Sequence, residues 1–148
     1  MQLRQLVYMS EARDDLTKSD VEDILSICRQ KNSERNISGL LIKAGSVFIQ
    51  ALEGDPDDLD RLYKSICADN RHHDAEIISD NLVDNRMFSG WTMAYIDSNA
   101  EELARGAGID GTLNHAELMA LLSQDDSWVS QILWSFAQRL NERTRLRT

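Results

Sequence analysis

The sequence is short of the residues that staple, anchor or charge a small protein toward nucleic acid. It has two cysteines, Cys28 and Cys67, in 148 residues. Two thiols supply neither a disulfide framework nor a metal-ligand set. Both fall on apolar stripes of predicted helices and read as small buried hydrophobes. No window approaches 18 uninterrupted apolar residues, so no membrane span is expected. The opening MQLRQLVYMS is a strand pattern and lacks the basic and apolar regions of a signal peptide. A soluble, cytoplasmic protein is therefore expected. Basic charge is scarce too: 16 Lys and Arg stand against 25 Asp and Glu, a net charge of −9. Phosphate backbones need a basic face, so no nucleic-acid partner is expected. The only basic cluster, Arg143, Arg145 and Arg147, reads as a solvated helix end complementing the macrodipole. Apolar residues, by contrast, make up 42% of the chain. That is enough for a core and too much for disorder.

Residues 2–10 read as a strand. A helix follows over 19–31, where Ser19 and Glu22 have capping-box spacing. Val21, Ile24, Leu25 and Cys28 recur there at i, i+3, i+4 and i+7. Two β-rich runs, 37–44 and 47–53, are split by Gly45-Ser46 and read as a hairpin. The single proline, Pro56, follows Asp55 and precedes two acids, a helix start. Leu59, Leu62, Tyr63, Ile66 and Cys67 form that helix's stripe. Strands are expected at 75–84 and 90–96.

The order β-α-β-β-α-β-β places both helices on one side of a mixed sheet, because crossovers are right-handed. The expected fold is α/β (α+β): a ferredoxin-like five-stranded mixed sheet with two helices on one face. The other face would carry Leu40, Ile42, Val47, Ile49 and Ala51 and needs cover. Leu118, Met119, Leu121, Leu122, Val129, Ile132, Leu133, Phe136 and Leu140 supply it as a C-terminal helical extension. The domains are then 1–97 and 98–148. Trp134 falls nearly opposite Ile132 on the last helix, which suggests a protein–protein contact and a homo-oligomer.

Strand alternation puts Phe48, Gln50 and Leu52 on the helix-covered face. A buried primary amide left unpaired costs about 1–3 kcal/mol per group, so Gln50 needs polar company. Tyr8 and Asn32 are the natural candidates, since a buried phenol also seeks a partner. The pattern alone fits a small structural polar network as well as a ligand-facing one.

The stretch from Leu3 to Ile96 resembles the BLUF domains, flavin-based blue-light sensors. The matching pieces are LVYMS with Tyr8, Asn32 followed by NISGLL, VFIQALEG with Gln50, DNRHH at 69–73, and WTM at 91–93. They keep the family's order and spacing. The resemblance implies a blue-light photoreceptor, not an enzyme, that holds a non-covalent flavin between its two helices and signals to a downstream regulatory protein. It implies FAD, with FMN as the alternative, because Ser65 removes a phosphate contact that Lys31, Lys64 or Arg71 would have to replace. It makes Tyr8 the electron and proton donor, Gln50 the bridging amide, and Trp91 and Met93 the switching pair. Asn32 would bind the flavin's carbonyl edge, and Ile24 and Ile66 would sandwich the ring. Leu41, Phe48 and Leu52 would line the pocket, with Asp69 and Arg71 near the ribityl and phosphate end.

The alternative is a light-independent, ferredoxin-like interaction module without flavin. Other readings are weaker. Asp110-Gly111 with Glu117 resembles a calcium loop, but glycines occupy its first and third ligand positions. His72 and His73 are adjacent and share no face for a metal. A small acyl-phosphate hydrolase would place an arginine in the first loop, and Arg13 there is followed by Asp14 and Asp15, which repel phosphate.

Overall fold

The computed structural model describes residues 2–89, 92–97, 131 and 133. Its elements are β1 (Leu3–Ala12), α1 (Lys18–Glu34), β2 (Ser38–Ala44), β3 (Val47–Gly54), α2 (Pro56–Cys67), β4 (His72–Val83) and β5 (Ala94–Asp97). The order matches the sequence expectation. The five strands form one sheet, β4-β1-β3-β2-β5. Only β2 and β5 pair in parallel; the other neighbours are antiparallel. This is the ferredoxin-like mixed sheet with two helices.

Helix α1 starts earlier than the Ser19 signal suggested. Thr17 is the N-cap. Its hydroxyl accepts from the Asp20 amide at 3.1 Å, and Asp20 Oδ2 accepts from the Thr17 amide at 2.9 Å. Ser19 therefore lies inside the first turn. The reciprocal Thr-x-x-Asp pair satisfies two groups that a helix end otherwise leaves bare. At α2 the expected start is observed, with Asp55 accepting from the Asp57 amide at 2.9 Å and Pro56 opening the helix. Cys67 is exposed, against expectation, and Cys28 is half-buried. Cys67 is the last residue of α2, whose fully buried anchors, Leu59 and Leu62, lie more than a turn earlier. Each such anchor contributes about 1.5–3 kcal/mol of burial.

The hairpin turns at Gly45, whose φ of 60° suits a residue without Cβ. Its register fixes a row across the sheet: Ile77, Tyr8, Gln50, Leu41 and Tyr95 stand side by side on β4, β1, β3, β2 and β5. Tyr8, Leu41, Phe48, Leu52, Met93 and Tyr95 pack with Val21 and Leu25 of α1 and Leu59 and Leu62 of α2. On the opposite face Val7, Leu40, Ile42, Ile49 and Ala51 are buried, with Val47 only partly so. Leu133 is helical and fully buried. Apart from Gln131, which is helical and exposed, the rest of the expected extension lies outside the described residues, with Trp134, the arginine cluster and the 106–117 loop. Among the described residues no helix is long and apolar enough to cross a membrane.

The cap assignment has a direct check. Thr17→Ala should lower the unfolding free energy by about 1 kcal/mol, whereas Ser19→Ala should change it by less than about 0.5 kcal/mol. Urea midpoints of the two variants distinguish the caps.

Candidate functional site

A cleft opens between α1, α2 and the sheet, with about 590 Å³ of free space that is partly continuous with solvent. Its walls come from two helical stripes. Ile24, Ile27, Cys28 and Lys31 line it from α1; Leu62, Ser65, Ile66 and Asp69 line it from α2 and the residues after it. Each set is spaced i, i+3, i+4, i+7, one face of a helix. On α1 this stripe runs beside the one that seals the core, Val21, Leu25 and Asn32. Leu41 and Phe48 form the apolar floor beside Gln50, with Tyr8 across from Gln50 on the other side. The result is a slot with aliphatic jaws and polar ends.

At the floor the side chains are locked in order. The Tyr8 hydroxyl donates to Gln50 Oε1. Gln50 Nε2 donates to Met93 Sδ at 3.4 Å. All three residues are at most 4% exposed. In this arrangement the amide turns its oxygen to the phenol and its nitrogen to the sulfur. Burial pushes the Tyr8 phenol well above its usual pKa, so it is firmly protonated. Tyr63 meets the Tyr8 ring edge-on at 5.5 Å. Gly39 leaves the space that Met93 uses: an added Cβ would collide with the Ala51 carbonyl and come within 3.1 Å of the Met93 methyl. Met93 precedes β5 rather than lying within it.

The polar ends are built differently. At one, Arg71 donates to Asp69 through Nε at 2.9 Å and its terminal nitrogen at 2.6 Å. The guanidinium holds the Asp69 carboxyl below the usual carboxylate range, and Asp69 in turn raises Arg71. Lys31 Nζ donates to Ser65 Oγ at 3.1 Å and links the two helix ends. A second groove continues past Lys31, Ser65 and Arg71 along Ala68 and Asn70.

Ile24, Ile66, Leu41, Phe48, Tyr8, Gln50, Asp69 and Arg71 all border the cleft. Asn32 and Leu52 do not. Asn32 is fully buried beside the wall, and its Nδ2 donates to the Thr92 carbonyl at 2.6 Å. Leu52 is fully buried two residues along β3 from Gln50, about 7 Å further along the strand. It packs in the core, opposite Leu6 and Gly39. Trp91 lies outside the described residues. Ile27, Cys28, Leu62 and His72 border the cleft without having been singled out for it. Cys28 and Leu62 already stood on the two stripes, and Ile27 follows when the α1 stripe is carried three residues on, to 24, 27, 28 and 31. Burial pushes the Cys28 thiol up, away from the reactive thiolate.

His72 had no such signal. Its Nε2 donates to the Ile66 carbonyl at 2.6 Å. Nδ1 and Asn32 Oδ1 are buried and have no partner among the described residues. An unpartnered buried acceptor is costly, and Asn32 Oδ1 beside the largely apolar slot suits a planar ligand with an N–H donor on its edge. A flavin ring, apolar in its faces and polar along one edge, fits that description.

Comparison with known proteins agrees. Residues 3–94 match the BLUF family model, "Sensors of blue-light using FAD". The chain is 35% identical over 79 residues to the blue light- and temperature-regulated antirepressor BluF of Escherichia coli (strain K12), covering 53% of this chain and 20% of that protein. It is 28% identical over 138 residues to photoactivated adenylate cyclase subunit alpha of Euglena gracilis, covering 91% of this chain and 12% of that protein. The chain thus spans a fifth or less of these curated relatives. The dark-state structure of the BLUF protein BlrB superposes with a TM-score of 0.63 at 28% identity, covering 74% of this chain and 86% of that one.

The buried phenol carries a pH signature. In the unfolded chain Tyr8 titrates near 10; in the fold its pKa lies well above that. The folded state then binds more protons than the unfolded state as pH rises beyond about 10, so stability falls there. The contribution is intact below the unfolded value. Urea midpoints between pH 8 and 11 should drop more steeply for the wild type than for Tyr8→Phe. Parallel curves would contradict a protonated, buried Tyr8.

Proposed function

Because the chain belongs to the BLUF family, sensors of blue light using FAD, we propose that Tyr8 and Gln50 turn light absorbed in its cleft into a new hydrogen-bond pattern at Met93. The observation that carries this reading is the hydrogen-bond chain from the Tyr8 hydroxyl to the Gln50 amide on the cleft floor, and from the amide nitrogen on to the Met93 sulfur. Ile24 and Ile66 would hold the faces of the ring, Leu41 and Phe48 would support it, and Asn32 would meet its polar edge. Asp69, Arg71 and Lys31 would face the ribityl and phosphate end. A bound flavin would supply blue absorption and, once excited, an oxidant strong enough to take an electron from a phenol.

The remaining steps belong to the protein. Tyr8 is neutral at rest and loses an electron. Its proton, far more acidic in the oxidised phenol, follows along the existing hydrogen bond toward Gln50 Oε1. Gln50 is suited to relay it because an amide has a donor end and an acceptor end. When electron and proton return to Tyr8, the amide is left turned or tautomerised. The thioether that receives its N–H at rest is a weak acceptor. A neutral hydrogen bond contributes only about 1 kcal/mol net, so that contact opposes the change weakly. Met93 then loses its donor, and the segment preceding β5 carries the signal to a partner protein. The antirepressor and cyclase relatives suggest a regulatory protein or a catalytic domain as that partner.

The purified protein should be yellow and release its flavin on heating. Its blue band should move to the red by a few nanometres on illumination and revert in the dark. Tyr8→Phe should keep the flavin and lose the reversible shift. A colourless or light-insensitive protein after expression with FAD supplied would favour the light-independent interaction module.

Gln50→Glu tests the relay itself. The substitution keeps the size and an acceptor but removes the amide's donor. A glutamic acid titrates near 4.3 when unperturbed, and burial raises it by disfavouring the charged form. The introduced carboxyl, held protonated, is therefore expected to donate permanently, as the rearranged amide does. The dark spectrum should already be red-shifted, with little further change in light. An unshifted dark spectrum with a normal photocycle would make Gln50 structural.

A further inference from the structure

The strands β4 and β5 occupy opposite edges of the sheet. Their connection, residues 84–93, must therefore cross the ends of β1, β3 and β2. The middle strand, β3, carries Glu53 at that crossing. Its carboxylate is fully buried and projects from the sheet face opposite the cleft, since it lies three residues from Gln50 on an alternating strand.

Four donors converge on it. Gln5 and Ser38, its direct register neighbours on β1 and β2, reach it at 3.4 Å and 3.0 Å. The other two are backbone amides of the crossing segment: Met87 at 2.8 Å to Oε2 and Phe88 at 2.5 Å to Oε1. Arg86 adds a second layer. It donates to Ser38 Oγ at 2.7 Å, to the Glu53 carbonyl at 3.1 Å and to the Asn36 carbonyl at 2.6 Å. The two oxygens of one carboxyl group thus receive four donors from three different parts of the chain.

Three residues separate Phe88 from Thr92, and there the segment is gripped again. Asn32 donates to the Thr92 carbonyl at 2.6 Å, and Arg29 Nε donates to the Met93 carbonyl at 3.2 Å. Met93 Sδ then receives Gln50 Nε2. The path closes on itself: from Gln50 along β3 to Glu53, across to Met87 and Phe88, and along the segment to Met93. Met93 is thus held toward Gln50 from two sides: by α1 through Thr92 and Met93 itself, and by Glu53 through Met87 and Phe88 earlier in the segment.

We infer that Glu53 is a positioning residue for the light response, holding the crossing segment so that Met93 presents its sulfur to Gln50. The inference rests on the function proposed above. In the dark arrangement Met93 is the acceptor to which the Gln50 amide must return. Loosening the tether leaves that acceptor unplaced, so the return becomes slower.

Glu53→Gln is close to isosteric, yet it replaces one acceptor oxygen with a donor group that opposes a backbone N–H. Arg86→Gln loosens the same tether from a half-buried position and serves as the second variant should Glu53→Gln fold poorly. Asp80→Asn, which weakens the ion pair with Arg4 on β1, is the control for destabilisation elsewhere. Each flavin-loaded protein is illuminated and followed in the dark, and its amide hydrogen exchange is measured without light. Glu53→Gln and Arg86→Gln should form the red-shifted state and return about threefold or more slowly than wild type, with Asp80→Asn unchanged. Exchange at Met87, Phe88 and Met93 should quicken about tenfold in the two tether variants while β1 and α2 keep their protection. Recovery that is unchanged or faster in both tether variants, with wild type cycling normally, overturns the inference and leaves Glu53 a stabilising residue. A wild-type protein with no light response overturns instead the function on which it rests.

Discussion

The candidate site turns on one hydrogen bond, from the Tyr8 hydroxyl to the Gln50 carboxamide. It forms because β1 and β3 pair antiparallel in a register that sets the two residues opposite one another. A slip of one residue would move every side chain of a strand to the other face. Tyr8 would then leave the cleft, and apolar Val7 would enter it. The register is held by burial on both faces: Leu6, Tyr8 and Leu52 pack toward the helices, while Val7, Ile49 and Ala51 are buried on the other side. The polar pair is thus placed by the apolar residues around it.

A buried tyrosine and a buried amide satisfy one another only in part. The phenol uses its proton, and the amide uses its oxygen. The amide nitrogen is left to a methionine sulfur, the weakest acceptor in the neighbourhood. This asymmetry gives the network a strong end and a soft end. Under the proposed function the soft end is where rearrangement costs least, and Met93 is the first residue outside the pair to register it. Cys28, on the α1 wall of the cleft, is kept as a protonated thiol by its burial.

The helices contribute in two registers at once. On α1, Val21, Leu25 and Asn32 seal the core, and the neighbouring stripe from Ile24 to Lys31 forms one jaw of the cleft. Seven-residue spacing carries each jaw from aliphatic to polar along the helix, ending at the Lys31–Ser65 contact. Asn32 faces inward at the end of its stripe and binds the segment before β5. The same helix therefore shapes the ligand slot and grips the strand through which a signal would leave.

Much of this was legible in the chain by itself. Alternation in β2 and β3, the Gly45 turn and the Asp55-Pro56 helix start are local features, so element order and the shared face of Phe48, Gln50 and Leu52 follow from short-range patterns. The choice of Tyr8 as partner for Gln50 was also within reach, because buried polar groups must pair and few were available. Local reading was less secure where two signals competed. Thr17 and Ser19 are both good caps, and only the reciprocal bonds with Asp20 show which one ends the helix. The tertiary structure alone decided the rest. Strand order is a long-range property, and it sends the β4–β5 connection across β3. Nothing near Glu53 in the chain announces that its carboxylate will receive the amides of residues 87 and 88. His72 likewise gains its place at the cleft through a bond to the end of α2. A residue's partners along the chain follow from spacing; its partners across the fold exist only once the sheet has closed.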